Sequence, residues 1–178
     1  MADPKLLVIC GSLRAGSLNR KLLDQAVAAF GAADVTYANI RFPLYDGDLE
    51  DAEGIPAEVL TLHGQMQDAD AIVIATPEYN GNISGVLKNA LDWVSRVKPM
   101  PMGDTPIAIM SATGGRTGGV MTQNSLRQCL TPFQPIVLQG PAVAVASASS
   151  AFDEDGSLKD ERYTKAVQKL MGKLRAII

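Results

Sequence analysis

The sequence predicts an α/β fold with one five-stranded parallel sheet in the order 2-1-3-4-5 and helices on both of its faces. Short apolar runs alternate along the chain with segments whose apolar residues recur at helical spacing. This alternation is typical of parallel strands joined by right-handed helical crossovers. The three loops richest in glycine and polar residues follow the first, third and fourth strands, and this strand order brings them to one edge of the sheet.

Each predicted element has a local signal. Apolar runs predict strands at residues 5–10, 34–38, 71–75, 106–110 and 141–145. Apolar residues at helical spacing predict helices within residues 18–30, 56–66, 83–94, 126–130 and 163–178. Trp93 and Tyr163 fall at core positions of their helices. Residues 43–48 form a turn-rich loop, and the acidic run 48–53 is interpreted as solvated surface.

Composition favours one globular domain over residues 1–178, because 47% of the residues are apolar and 20% are charged. The net charge is -3 and no basic run stands out, so we expect no nucleic-acid partner. No apolar stretch reaches membrane-spanning length, and the first strand begins too early to leave room for a signal peptide.

The cysteine and histidine content limits the possible chemistry. Cys10 and Cys129 have no metal or redox spacing, which favours a reducing compartment and a cytoplasmic location. His63 is the only histidine and is expected on a helix surface. We therefore expect neither a histidine-based metal site nor a Ser-His-Asp triad.

The loop at residues 11–19 joins a buried strand to a helix start. Free backbone N–H groups and the positive end of the helix dipole favour an anion at such a place. Ser12, Ser17 and Asn19 add neutral donors, and Arg14 adds a cation that can bind a phosphate with two bonds. We interpret this loop as a phosphate site; the alternative is an ordinary turn with Ser17 as the helix N-cap.

The residues that this loop lacks disfavour two classes of phosphate ligand. The spacing of Gly11 and Gly16 matches a Walker loop, but Ser17 and Leu18 replace its lysine and metal-binding hydroxyl, which disfavours a nucleoside triphosphate with magnesium. Leu13 occupies the position of the second glycine in a dinucleotide fingerprint, so a pyrophosphate could not approach the backbone as closely. Four polar side chains around one turn suit a terminal monophosphate.

The loop at residues 76–84 suits a planar ring. Pro77 stiffens the exit from the strand, and Gly81 permits an unusual backbone turn. Tyr79 offers a flat face, and Asn80 can donate or accept a hydrogen bond. Because a helix begins after this loop, its field favours an anion such as a reduced flavin. The alternative is a simple turn capped by Asn82 or Ser84.

The loop at residues 111–119 contains four glycines, which allow motion and close approach of the backbone to a ligand. A merely flexible surface loop is the alternative. Arg116 either receives an anionic substrate or the phosphate of a pyridine nucleotide, or is solvated.

Taken together, three segments resemble the NADPH-dependent FMN reductases, a family with a flavodoxin-like three-layer sandwich fold that includes chromate, quinone and azo-dye reductases. They are Gly11-Ser12-Leu13-Arg14 with Ser17 and Asn19, then Pro77-Glu78-Tyr79-Asn80, and Leu87-Lys88-Asn89-Ala90-Leu91-Asp92-Trp93. The resemblance extends from about Lys5 to the last helix.

The resemblance implies a set of FMN-binding residues. The first loop would hold the FMN phosphate, the second would contact the edge of the isoalloxazine ring, and the third would close over the flavin. The residues implied are Ser12, Arg14, Ser17, Leu18, Asn19, Pro77, Glu78, Tyr79, Asn80, Ser111, Thr113, Gly114 and Gly115.

The resemblance also implies the reaction. Bound FMN would pass hydride from NADPH or NADH to a quinone, an azo compound, a metal oxyanion or free flavin, with no catalytic side chain and no metal. A homodimer or homotetramer is expected by analogy. The alternatives are a flavodoxin-type electron carrier and a module that senses flavin or nucleotide without turnover. The mild net charge and Arg14 disfavour the carrier.

Overall fold

A parallel β-sheet forms the centre of the computed structural model, which describes residues 2–178. The strands are β1 (Lys5–Cys10), β2 (Asp34–Tyr37), β3 (Ala71–Ala75), β4 (Pro106–Ala112), β5 (Ile136–Val137) and β6 (Val143–Val145). The helices are α1 (Leu18–Phe30), α2 (Gly47–Glu53), α3 (Ala57–Asp68), α4 (Gly85–Val94), α5 (Val120–Leu130) and α6 (Glu161–Arg175), with 3-10 turns at Thr131–Phe133 and Ala148–Ser150. The strand order is β2-β1-β3-β4-β5, and β6 also pairs with β4, which confirms the predicted order.

Two short strands share the fifth position of the sheet. β5 pairs with the beginning of β4 and β6 with its end, both in parallel. The predicted strand at residues 141–145 therefore covers β6 and misses β5, whose two residues are too short a run to detect. From Val137 to Val143 the chain advances six residues while β4 advances three, from Ile107 to Met110, so three extra residues, in a stretch that includes Pro141, interrupt the ladder.

Alternating side chains divide the core into two layers. Leu6 and Val8 of β1 face α1 and α6, whereas Leu7 and Ile9 face α3, α4 and α5. This is the predicted three-layer arrangement, because successive strand residues point to opposite faces. Trp93 is fully buried, as expected from its spacing.

The turn-rich loop and acidic run predicted at residues 43–53 contain a short helix. Residues 47–53 form helix α2, which Asp46 caps by accepting a hydrogen bond from the Asp48 N–H at 2.9 Å. None of its residues is buried, so it has no apolar periodicity from which to predict it. Tyr163 is half-buried and packs against the core layer that α1 and α6 cover, and its hydroxyl accepts a hydrogen bond from the Ala146 N–H.

The prediction of a surface position for His63 is wrong, since this side chain is 6% exposed. It lies on the buried face of α3 with Val59 and Met66, and its Nε2 atom is 2.7 Å from the Pro99 carbonyl oxygen. The segment that covers it is distant in sequence. Within residues 2–178, no helix combines the length and apolar character needed to cross a bilayer.

Candidate functional site

A cavity of about 430 Å³ opens at the carboxyl edge of the sheet, where the loops after β1, β3 and β4 meet. Its lining consists of Ser12, Arg14, Gly16, Ser17, Leu18, Asn19, Pro77, Glu78, Tyr79, Ala112, Thr113, Gly114 and Ser149. The structure thus brings together most of the predicted site residues. It does not place Asn80, Ser111 or Gly115 in the lining.

The start of α1 forms one end of the cavity. Ser17 is the N-cap and accepts a hydrogen bond from the Arg20 N–H at 3.3 Å. Leu18 and Asn19 open the helix, so their N–H groups have no partner within it. The Gly16 N–H also has no protein acceptor among residues 2–178. Ser17 therefore caps α1, and the neighbouring N–H groups are still available as donors to a ligand.

Arg14 is exposed beside these donors. In the described part of the chain, its guanidinium forms no salt bridge. The Arg14 N–H donates to the Ser12 hydroxyl at 3.4 Å, which shapes the turn. The cation is consequently available to a ligand rather than committed to a carboxylate.

Gly11 has a steric reason to be glycine, whereas Gly16 has none. A Cβ atom on Gly11 would lie 2.5 Å from the Thr76 hydroxyl oxygen, so this glycine permits the first two loops to approach each other. The Ser84 hydroxyl strengthens that contact by donating to the Gly11 carbonyl at 2.6 Å. A Cβ atom on Gly16 would meet nothing within 4 Å.

Asn19 is 3% exposed and connects the first loop to the third. Its Nδ2 atom donates to the Ala112 carbonyl, and its Oδ1 atom accepts from the Ala112 N–H, both at 2.9 Å. Only one Nδ2 hydrogen remains for a ligand. The side chain predicted as a phosphate donor therefore mainly fixes α1 against the end of β4.

The second loop is a small hairpin. Tyr79 and Asn82 exchange two backbone hydrogen bonds of 3.0 Å, with Asn80 and Gly81 at the turn. Both turn residues have positive φ, as a type I′ turn requires. Tyr79 is 53% exposed and lines the cavity, whereas Asn80 lies at the exposed tip.

Glu78 has a capping role that the sequence did not reveal. Its Oε2 atom accepts a hydrogen bond from the Thr122 N–H at 3.3 Å, near the start of α5. The N-cap of that helix is Gly119, which has no side chain to supply a cap. The Glu78 carboxylate therefore takes the place of the missing N-cap side chain, although it belongs to another loop. It lies at the positive end of the α5 dipole.

Ser111 is completely buried beneath the third loop. It belongs to β4, where neighbouring side chains point to opposite faces, so Ala112 faces the cavity and Ser111 faces α5. The Ser111 hydroxyl donates to the Gly118 carbonyl at 2.6 Å. The Ser111 side chain therefore points away from the cavity.

The glycine-rich third loop is anchored at its base and exposed at its tip. The Thr113 N–H donates to the Val145 carbonyl, and the Thr113 carbonyl accepts from the Ala148 N–H. The Gly115 carbonyl accepts from the Ser147 N–H, which draws it toward the segment after β6. Arg116 is exposed at the tip and forms no salt bridge among residues 2–178. This exposure agrees with the interpretation that Arg116 is solvated.

Ser149 also lines the cavity, although it was not among the residues predicted from the sequence. It follows β6 in the serine-rich stretch 147–150, at the same edge of the sheet as the other loops. A polar stretch after the last strand is the signal that could have identified it. Within the described residues, no group of three or more His, Cys, Asp or Glu side chains could hold a metal ion.

A second hollow of about 540 Å³ adjoins the cavity and shares Ser12, Arg14 and Tyr79 with it. Most of its other side chains are apolar, namely Leu13, Ile40, Phe42, Leu44 and Val86. One wall is held in place by α4, because the Asn89 amide and the Trp93 indole both donate to the Pro43 carbonyl.

Comparison with known proteins agrees with this geometry. The sequence profile of the NADPH-dependent FMN reductases matches residues 4–150. An NAD(P)H-dependent FMN reductase of Pseudomonas aeruginosa is 39% identical over 175 residues, which cover 97% of this chain and 94% of the relative. A quinone reductase of Escherichia coli strain K12 is 37% identical over 140 residues, or 77% of this chain and 74% of the relative.

A solved structure shows the same fold. The flavoenzyme NAD(P)H:(acceptor) oxidoreductase of Paracoccus denitrificans superimposes with a TM-score of 0.85 and 28% identity, covering 97% of this chain and 96% of that one. These matches favour an enzyme over an electron carrier. The chain therefore belongs to the family of NADPH-dependent FMN reductases and is a flavin-dependent NAD(P)H oxidoreductase.

Proposed function

We propose that this chain holds FMN in the cavity at the carboxyl edge of its sheet and uses NADPH or NADH to reduce a small acceptor, for which a quinone fits best. The observation that carries the proposal is that, among the residues the structure describes, N–H donors without an acceptor, an arginine without a salt bridge and an exposed tyrosine ring meet in one cavity. These groups suit a phosphate at one end and a flat ring beside it.

The donor set fits the phosphate of FMN. Gly16, Leu18 and Asn19 supply backbone N–H groups at the positive end of α1, where an anion is favoured. The hydroxyls of Ser12 and Ser17 can donate as well. Arg14 matches the charge and the planar two-bond geometry of a phosphate.

The ring would lie along Pro77, Glu78 and Tyr79, with Asn80 at the tip of the same hairpin. Thr113, Gly114 and Ser149 form the other wall of the cavity. Bound FMN supplies the hydride chemistry. The chain's own residues bind and orient the rings, and Ser111 and Gly115 contribute through the shape of the third loop.

The adjoining apolar hollow favours a flat apolar acceptor over a metal oxyanion. Transfer of apolar surface from water into this hollow is favourable, whereas an oxyanion would find Arg14 as the only cation in its lining. For this reason we propose a quinone as the electron acceptor in preference to an azo compound, a metal oxyanion or free flavin.

The proposed partners are small molecules and further copies of this chain, as a homodimer or a homotetramer. Leu44, Val120 and Met121 are exposed apolar side chains, and the first of them is 82% exposed. Two free thiols agree with the proposed cytoplasmic location. Neither nucleic acid nor a membrane enters the proposal.

The test begins with the visible spectrum of the purified protein reconstituted with FMN. We expect a bound flavin that is bleached under anaerobic conditions by NADPH or NADH, and steady NAD(P)H oxidation when menadione is added. Bound flavin that is reduced only by another protein would indicate an electron carrier. Bound flavin that stays oxidised in excess NAD(P)H would indicate a sensing module, and failure to bind FMN would overturn the proposal.

A further inference from the structure

We propose that Gln123 is a positioning residue that, through Ser111, fixes the glycine-rich third loop beside the cofactor cavity. Gln123 lies in the second turn of α5 and is 6% exposed. It lines no part of the cavity. Gln123 would act on the cavity only through the backbone of the loop.

The first step is the placement of the Gln123 amide. Its Nε2 atom donates to the Ser111 hydroxyl oxygen and to the Val143 carbonyl, both at 2.8 Å. Ser111 lies on β4 and Val143 on β6, which pair in parallel at this place. One buried amide thus uses both of its hydrogens to hold two neighbouring strands.

The second step passes from Ser111 to the loop. Because the Ser111 hydroxyl accepts from Gln123, its single hydrogen is directed to the Gly118 carbonyl at 2.6 Å. The Gly119 carbonyl lies 3.2 Å from the same oxygen. The chain of hydrogen bonds therefore ends on the backbone at the base of the loop.

The third step is the dependence of the loop on this support. Gly118 and Gly119 have φ values of 66° and 89°, and a Cβ atom on Gly118 would overlap the Ala144 carbonyl. Glycines have no side chain with which to fix their own position. The opposite end of the loop is held by Thr113, which lines the cavity together with Gly114. A loop fixed at both ends keeps these two lining residues in place.

The part of this proposal that concerns FMN rests on the proposed function, whereas the part that concerns the loop does not. The test therefore uses two measurements. Hydrogen exchange of the protein without cofactor reports on the loop. Titration with FMN, followed by flavin fluorescence, reports on the cavity.

The two variants are Gln123→Leu, which removes both donors, and Ser111→Ala, which breaks the link to the loop and keeps the bond from Gln123 to Val143, but leaves one Gln123 hydrogen without its acceptor. In both we expect exchange of the hydrogen-bonded amides that hold the loop, those of Thr113, Ser147 and Ala148, to become about tenfold faster, and the Kd for FMN to rise about tenfold. The matched control is Gln25→Leu, which removes a glutamine amide that donates to the distant Gly156 carbonyl. It should change neither quantity.

Faster exchange confined to the loop, together with weaker FMN binding, supports the proposal. Unchanged loop exchange in Ser111→Ala overturns it, as does faster exchange spread evenly over β4 and β6, which indicates a merely structural role. Faster loop exchange with an unchanged Kd also overturns it. Failure of the unmodified protein to bind FMN overturns the proposed function instead, and exchange then still decides whether Gln123 fixes the loop.

Discussion

Arg14 and Asn19 lie in the same loop, yet their surroundings give them different roles. Arg14 is exposed and forms no salt bridge in residues 2–178, so its full charge can act on a ligand. Asn19 is buried and holds the Ala112 backbone with two hydrogen bonds. Substitution of the first should affect binding, whereas substitution of the second should affect folding as well.

Replacement of Arg14 by alanine is expected to raise the Kd for FMN by about tenfold to a hundredfold, the usual worth of a hydrogen bond to a charged group. The denaturation midpoint should stay unchanged, because the guanidinium makes no salt bridge with any residue from 2 to 178. Fluorescence titration and chemical denaturation measure the two quantities. Arg41→Ala is the matched control, since Arg41 is also exposed but lies outside the cavity lining. Equal affinities for the protein and Arg14→Ala would contradict the assignment.

At the scale of elements, α1 and β2 are joined by Tyr37. Its hydroxyl donates to Asp24 at 2.7 Å, and the Arg20 guanidinium lies 3.7 Å from the ring centroid. Burial, followed by the hydrogen bond to Asp24, raises the pKa of Tyr37 to about 12. In the unfolded chain the pKa returns to about 10.

This shift predicts how stability depends on pH. The folded chain retains the Tyr37 proton more strongly than the unfolded chain, so the associated stability is complete below about pH 10 and is lost as the pH rises toward about 12. The measurement is the free energy of unfolding of the protein and of Tyr37→Phe between pH 9 and pH 12. We expect the advantage of the tyrosine to shrink over this interval. A constant difference would contradict the prediction.

The third loop makes a separate prediction at this scale. Gly118→Ala should lower the free energy of unfolding by about 2 to 4 kcal/mol, because the methyl group meets the Ala144 carbonyl and the backbone has positive φ. Gly114→Ala is the control in the same loop, where a Cβ atom meets nothing within 4 Å. Denaturation curves distinguish the two, and similar losses would show that the loop adapts to a side chain at either place.

Several segments of the molecule carry exposed apolar side chains, among them the loop before α2 and the start of α5. Leu44 is held on a loop that α4 anchors, and Val120 and Met121 begin α5. An interface between copies of the chain would remove such side chains from water, which is favourable. We therefore expect light scattering to give two or four times the chain mass of 18.8 kDa. A monomer at micromolar concentration would contradict this expectation.

The sequence by itself determined the strand order, the two faces of the sheet and the edge where the site lies. Buried runs and helical spacing are local patterns, and the topology of a parallel sheet then brings the loop ends together. Because the first loop combines a strand end, polar side chains and a helix start within nine residues, its donors could also be predicted.

Only the tertiary structure decided what these side chains contact. Asn19 is engaged by Ala112, 93 residues away, and Glu78 caps a helix that begins more than forty residues later. His63 of α3 is buried and contacts Pro99, which lies 36 residues further along the chain. Such contacts depend on the packing of distant elements, which no local pattern of residues specifies.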